Sequence, residues 1–423
     1  MTVELISIGT ELLLGNIINT NANYLSIECA KLGFSMYHQV TVGDNEARLY
    51  EALKTALKRS DILILTGGLG PTSDDITKET LAKVLNRRLE MDEHSRERIQ
   101  AYMNRIIATN KIIPKGLAKI TENNWKQALK IEGSIVIDND YGSAPGYIVE
   151  DNNKIILLLP GPPVEMIPMF NNMLPYLKKL QDKVFVTKMV KICGIGESTA
   201  ETMIIDLIEG QSNPTIAPYA KGGEVHFRIT ASADNEKDAL ILINPILDEM
   251  NNRFGSNIFT ADENETLEEV VIKLLKKHEL TLVTAESCTG GLLSGRIVNV
   301  PGASEVFTEG FITYSNQSKI KYLGVNTDTL ADYGAVSEQT AKEMAIGAVK
   351  ASGSNVSIAV TGIAGPGGGT ASKPVGLVYF ACSVSDKVFV SERHFKGSRE
   401  KIREHSVVAA LDLIRRSIIE VYG

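Results

Sequence analysis

Thr284-Ala285-Glu286-Ser287-Cys288-Thr289-Gly290-Gly291 joins two apolar runs of different kinds. Residues 280–285 lead into it as a short continuous apolar stretch, which reads as a strand. Leu292, Leu293, Ile297 and Val298 follow at helical spacing. Ser287 is therefore predicted at a strand-to-helix turn, where unpaired N–H groups and partial positive charge favour an oxyanion or a phosphate. Glycines there let a ligand approach the backbone. A serine in this position also serves as an ordinary helix cap.

A serine nucleophile needs a base. His278, His394 and His405 lie outside the Gly-rich loops. The polar cluster Thr313-Tyr314-Ser315-Asn316-Gln317-Ser318-Lys319 follows the next predicted strand, 310–314. A lysine whose pKa is lowered by burial can act as the base, and Ser–Lys pairs are a known variant; a solvated helix lysine is the competing reading for Lys319. A third loop, Thr361-Gly362-Ile363-Ala364-Gly365-Pro366-Gly367-Gly368-Gly369, follows a strand at 356–360. Two more strands are expected at 376–384 and 388–393, and a last helix at 399–421 opened by Arg399. Ser287, Tyr314, Lys319 and Thr361 should then meet at one sheet edge, with Arg399 placed to grip a phosphate or to pair with a carboxylate. Cys288 is the rival nucleophile, or a small buried apolar residue.

The N-terminal part has the same alternation. Apolar runs at 3–8, 61–65 and 155–159 stop at Gly9, at Thr66-Gly67-Gly68 and at Pro160-Gly161-Pro162-Pro163, with a helix expected at 19–32. Such runs point to a parallel sheet covered on both faces, with ligands beyond the carboxyl ends of its strands. The loop from Thr66 to Thr77 carries Gly67, Gly68, Gly70 and Thr72, then Asp74 and Asp75. Glycines at a helix start suit a phosphate, and paired carboxylates beside it call for an intervening cation such as Mg²⁺; helix capping is the plainer reading of the Asp pair.

Between these parts, residues 184–192, 197–208, 215–219, 224–231 and 236–250 read as strand, helix, two strands and helix, a small α+β module. Gly194-Ile195-Gly196 is a weak motif there. The polar stretch 256–265 reads as a linker. The domains are therefore expected at 1–172, 173–255 and 266–423.

The chain has 423 residues, is 43% hydrophobic and only 6% aromatic, and contains 35 Gly. That length suits two or three domains, and the mix suits α/β architecture. A net charge of −7 favours neither nucleic acid nor an anionic membrane. The four Cys, at 29, 193, 288 and 382, make no metal-type pair. With neither a signal-like start nor a membrane-length apolar run, a cytoplasmic setting is expected.

The last part resembles the C-terminal domain of the CinA family, the nicotinamide mononucleotide amidohydrolases. Matching stretches are Ala285 to Gly291, Pro301-Gly302-Ala303-Ser304, Thr313 to Asn316 with Lys319, Gly334-Ala335-Val336-Ser337, Thr361 to Pro366, Lys373-Pro374-Val375-Gly376, and Arg399. The resemblance implies hydrolysis of the mononucleotide carboxamide without a cofactor. Ser287 would be the nucleophile, Lys319 its base and Tyr314 a third catalytic residue. Glu286, Thr289, Gly290, Ser304, Thr361 and Gly362 would line the substrate, and Arg399 would hold its 5′-phosphate. Ser398 stands where the family often has an acid.

The first part resembles the molybdopterin-binding fold and, more closely, the CinA N-terminal domain. Gly9-Thr10-Glu11, Gly15, Asn19-Thr20-Asn21, the loop from Thr66 to Thr77, Ala144-Pro145-Gly146, and Pro160 to Pro163 with Glu165 carry this likeness. Molybdopterin binders usually have a basic residue where Asp74 stands. The CinA likeness implies metal-dependent hydrolysis of ADP-ribose, with Gly9, Glu11, Asn19, Gly67, Gly68, Gly70, Thr72, Gly161 and Pro162 at the nucleotide and Asp74 and Asp75 at the metal.

The middle module resembles a KH domain but lacks the basic-flanked G-x-x-G clamp, so a spacer or dimerisation role is expected. The fold class expected is thus α/β: two separate sheet domains with a KH-like α+β domain between them, and a homodimer is the expected assembly. The competing functions are a molybdopterin-pathway protein, which leaves the Ser287 loop unexplained, and a non-enzymatic competence or DNA-damage partner, which the acidic charge opposes.

Overall fold

The computed structural model describes residues 1–109 and 122–423. They form two compact units, Met1–Phe185 with Ser232–Glu236, and Val186–Ala231 with Lys237–Gly423. No described helix is long and apolar enough to cross a membrane.

The strands of the first unit are β1 (Thr2–Ile8), β2 (Ser35–Val42), β3 (Ile62–Thr66), β4 (Leu89–Met91), β5 (Leu129–Ile131), β6 (Ile135–Ile137), β7 (Gly146–Asp151) and β8 (Lys154–Leu159). Six of them make one sheet in the order β2-β1-β3-β8-β7-β6. The runs that stop at Gly9, Gly67 and Pro160 become β1, β3 and β8, all parallel. Alternate residues feed opposite cores: Val3, Leu5, Ile62 and Ile64 face one, Ile6, Ile8, Leu63 and Leu65 the other. That two-sided burial is why the runs are continuous rather than alternating. The sheet is not wholly parallel, because β7 and β6 add antiparallel through the tight turn at Asn152 and Asn153. The carboxyl ends of β1, β3 and β8 still share one edge.

β9 (Val184–Cys193), β10 (Thr215–Lys221), β11 (Glu224–Ala233) and β12 (Ile258–Thr260), nearly all of whose residues belong to the second unit, form a sheet ordered β10-β11-β9-β12. The helix expected at 197–208 is two short helices, Glu197–Met203 and Ile205–Glu209. Ile204 between them is wholly buried, and its backbone leaves helical values. The expected linker 256–265 is partly a strand: Ile258 and Thr260 pair with Ile192 and Lys191 of β9. Ile258-Phe259-Thr260 has the β-branched and aromatic character of a strand, which the polar residues around it obscure. Arg415 holds this stretch, donating Nη2 to the Ser256 carbonyl (2.6 Å) and Nη1 to that of Ile258 (3.3 Å).

The last sheet contains β13 (Leu282–Glu286), β14 (Phe307–Ile312), β15 (Val356–Gly362), β16 (Leu377–Val384) and β17 (Lys387–His394), ordered β14-β13-β15-β16-β17. β14, β13 and β15 are parallel, and β16–β17 is an antiparallel hairpin at the far side. The helices Leu267–Lys277 and Arg399–Tyr422 cover one face, where Val356, Ile358, Val378 and Phe380 point. The helix Glu338–Ser352 covers the other with small side chains, Ala341, Ala345 and Ala348. Its Gly347 packs so closely that a Cβ would lie 1.8 Å from the Leu323 carbonyl oxygen.

Candidate active site

β13 ends at Glu286, and the next residue is suspended between two neighbouring strands. Ser287 N–H donates to the Val360 carbonyl (2.9 Å), and Thr313 N–H donates to that of Glu286 (2.8 Å). Gly290 and Gly291 then take left-handed backbone conformations, φ +60° and +93°. These conformations strain side-chain-bearing residues, so the turn requires glycine.

Glu286 was expected to line the substrate site. Its carboxylate instead faces into the fold and is wholly buried. It accepts from the N–H groups of Gly291 (2.9 Å), Leu293 (3.2 Å) and Ser294 (2.8 Å), and from the Ser294 hydroxyl (2.6 Å). An anion at the start of helix Leu292–Val298 meets both the helix dipole and its unpaired donors.

Lys319 comes from helix Asn316–Leu323, which a Ser315–Ser318 capping box begins. Its side chain is 1% exposed. Nζ lies 3.0 Å from Ser287 Oγ and donates to the Thr313 carbonyl at 2.7 Å. Burial lowers its pKa to about 8, with only the nearby Cys288 thiol opposing the shift. About one amine in ten is then neutral at pH 7, and a neutral amine can accept the serine proton. Cys288 is buried and its thiol is pushed up to about 11, so little thiolate is available for attack.

Tyr314 and Arg399 meet at an exposed rim. Arg399 donates Nη1 to the Gly365 carbonyl (2.7 Å) and Nη2 to Tyr314 Oη (3.1 Å). Thr361 is buried and donates to the Ala335 carbonyl (2.7 Å), which ties its loop to the segment before helix Glu338–Ser352. Gly362 permits close strand packing: a Cβ there would lie 2.7 Å from Val378 Cγ2. The hydroxyls of Thr289 and Thr313 are buried without a hydrogen-bond partner.

Ser304 does not join this group. It precedes β14, and parallel pairing sets Phe307 opposite Leu282 and Ile312 opposite Glu286. Ser304 therefore lies beyond the start of β13 and Ser287 beyond its end, about 16 Å apart along the strand at ~3.3 Å per residue. Sequence proximity to a Gly-rich turn concealed that a parallel strand begins at the opposite edge.

Arg403 was not anticipated. It lies one turn after Arg399 and donates Nε to the Cys288 carbonyl (3.1 Å) and Nη2 to the Thr289 carbonyl (2.7 Å). The only sequence signal is its i, i+4 spacing from Arg399 on the last helix.

In the first unit, a cavity of about 380 Å³ lies beyond the carboxyl ends of β1, β3 and β8. Gly9, Glu11, Gly67, Gly68, Gly70, Asp74, Asp75, Gly161 and Pro162 all line it. Gly67 also allows close chain approach, since a Cβ would sit 2.2 Å from the Ile8 carbonyl oxygen. Two expected nucleotide ligands are engaged internally. Asn19 caps helix Thr20–Lys31 through the Ala22 N–H (3.0 Å) and donates to Ser7 Oγ (2.9 Å). Thr72 donates its N–H (2.9 Å) and its hydroxyl to Asp75 Oδ2, closing the turn. Asx-type residues favour such local bonds over distant ones.

Asp74 is exposed, and its carboxyl is held below the usual range, chiefly by a hydrogen bond with Thr72. Asp44 and Glu165 add two more acids to the lining, beside the neutral amide of Gln127, whose Oε1 is buried without a partner. Among the described residues, no three His, Cys, Asp or Glu side chains gather as a metal-ion cage. The donors present suit a cation that takes one or two carboxylates and completes its shell from a bound phosphate.

Family models match along the whole described organisation. The model for a probable molybdopterin binding domain matches residues 4–179, that for the damage-inducible protein CinA KH domain residues 187–260, and that for the CinA C-terminal domain residues 264–418. The chain belongs to the CinA family. It is 51% identical over 420 residues to a putative competence-damage inducible protein of Alkaliphilus oremlandii, covering 99% of each chain. A protein of the same description from Clostridium beijerinckii is 52% identical over 421 residues, covering 99% of this chain and 100% of the relative. Among solved structures, competence/damage inducible protein CihA from Agrobacterium tumefaciens is 44% identical, with 36% of this chain and 93% of that chain covered and a TM-score of 0.35.

Proposed function

We propose that this chain is a nicotinamide mononucleotide amidohydrolase acting through Ser287 and Lys319. The observation that carries the reading is the 3.0 Å contact between a buried lysine amine and the Ser287 hydroxyl. Neutral Lys319 takes the serine proton as Oγ attacks the carboxamide carbon, then delivers it to the departing ammonia. Water cleaves the resulting ester and releases nicotinate mononucleotide. Arg399 grips the 5′-phosphate, and Tyr314 steadies its guanidinium through the 3.1 Å contact. No metal or organic cofactor enters this scheme.

The test is ammonia release from the mononucleotide by the full chain and by Ser287→Ala. Loss of the nucleophile lowers kcat by about 10⁴-fold or more. A folded variant with near-normal turnover would sink the mechanism.

The acid-lined cavity of the first unit favours a second activity, divalent-metal-dependent hydrolysis of the ADP-ribose pyrophosphate. Asp74, with the carboxylate of Asp75, would hold the cation, which supplies Lewis-acid stabilisation of phosphoryl charge. Asp74 occupies the position where molybdopterin binders carry a base, which favours this reading over a pterin-pathway role. ADP-ribose cleavage that does not depend on added Mg²⁺ or Mn²⁺ would refute it.

A further inference from the structure

Arg403 tethers the two carbonyls that immediately follow the Ser287–Cys288 peptide. Its Nε reaches Cys288 O at 3.1 Å, and its Nη2 reaches Thr289 O at 2.7 Å. A peptide unit is planar and trans, so its N–H points opposite to its C=O. Holding these carbonyls toward the guanidinium therefore turns the N–H groups of Thr289 and Gly290 away from it.

The turn leaves three successive N–H groups, those of Cys288, Thr289 and Gly290, without an acceptor among the described residues, and Arg403 turns the last two. The N–H of Ser287 is engaged by Val360 O, and that of Gly291 by Glu286 Oε2. The N–H groups of Thr289 and Gly290 have no acceptor within the described residues. Thr289 is wholly buried, where an unpaired backbone donor is costly unless a ligand completes it. Gly290 at φ +60° follows in the left-handed region, a succession of backbone donors of the kind that forms anion-binding nests.

We propose that Arg403 is a positioning residue: it orients the Thr289 and Gly290 N–H groups as the oxyanion hole of the Ser287 reaction. The fork matters as well as the charge, since two carbonyls are held at once. The inference rests on the amidase reading and assigns its missing electrostatic element.

The experiment compares Arg403→Lys and Arg403→Ala in the full chain. Lysine keeps the charge but leaves one carbonyl untethered. In the ammonia assay kcat should fall about 10²–10³-fold, with KM within about threefold and the pH midpoint unmoved. Guanidinium ion should restore part of the lost kcat to Arg403→Ala, which a general loss of structure would not allow.

A second arm follows acetyl transfer from p-nitrophenyl acetate to Ser287 Oγ, with p-nitrophenolate leaving. This reaction needs the hole but not the nucleotide pocket. If the natural chain releases no ammonia and Arg403→Lys still slows acetylation, the amidase reading fails while the positioning role stands. A raised KM with kcat retained, or unchanged rates in both arms, would overturn the role. So would a natural chain inert to both substrates, or variants that lose their fold and gain nothing from guanidinium.

Discussion

The Ser287 turn and the Thr66–Thr77 loop share one local plan, an apolar strand, a glycine-bearing turn and a helix, yet they place their acids oppositely. At Ser287 the carboxylate is Glu286, wholly buried and bonded to four internal donors. What remains near the hydroxyl is a desolvated amine. At the other loop Asp74 is exposed and faces a cavity with further acids. Under the proposed reading, one arrangement serves a nucleophile and its base and the other a cation. The direction in which acids face, rather than glycine content, separates the two chemistries.

The sharpest way to break this contrast is Lys319→Met. It keeps the apolar stem and removes the base, and ammonia release should fall at least about 10³-fold while ADP-ribose turnover is unchanged. Loss of both activities would dissolve the distinction. The converse is Asp74→Asn, for which metal-dependent ADP-ribose cleavage should fall about 10²-fold with ammonia release untouched.

Acidity offers a smaller but cleaner test. Lys319 must be neutral to act, and its pKa is lowered to about 8. The amidase kcat/KM should therefore rise about tenfold from pH 7 to pH 9. Asp74 is held below the usual carboxylate range, so it is already ionised there and lends the other activity no such slope. A rate that falls across this interval would exclude a lysine base. The smallest effect is expected from Glu286→Gln, which loses part of its acceptor set in a dry site. It should cost about 1–3 kcal/mol of stability by urea unfolding, without changing the pH midpoint.

Much of this contrast was legible in the sequence. Continuous apolar runs that stop at a loop signal marked β1, β3, β8, β13 and β15, because two-sided burial demands such runs. The same strand ends brought Ser287, Lys319, Tyr314 and Arg399 to one edge. The sign of strand direction was not legible: β16 is as apolar as the parallel β15 beside it, and a hairpin differs from a crossover only in its connection. Nor were the partners of polar side chains. Glu286, Asn19 and Thr72 are engaged by nearby donors and acceptors, and nothing in their spacing announced whether they face inward. Arg403 read as one more charged residue on a long helix, since its role depends on carbonyls 114 and 115 positions away.

Arg415 carries a lesson about how such chains come apart and join. Its side chain is 4% exposed, pairs with Asp412, and uses the carbonyls of Ser256 and Ile258 as acceptors. A free-standing version of the last α/β unit would have to supply substitutes for those carbonyls or replace the arginine. Fission or fusion at this seam is thus an event in the interior of the unit, recorded in its final helix, and not a matter of tether length alone.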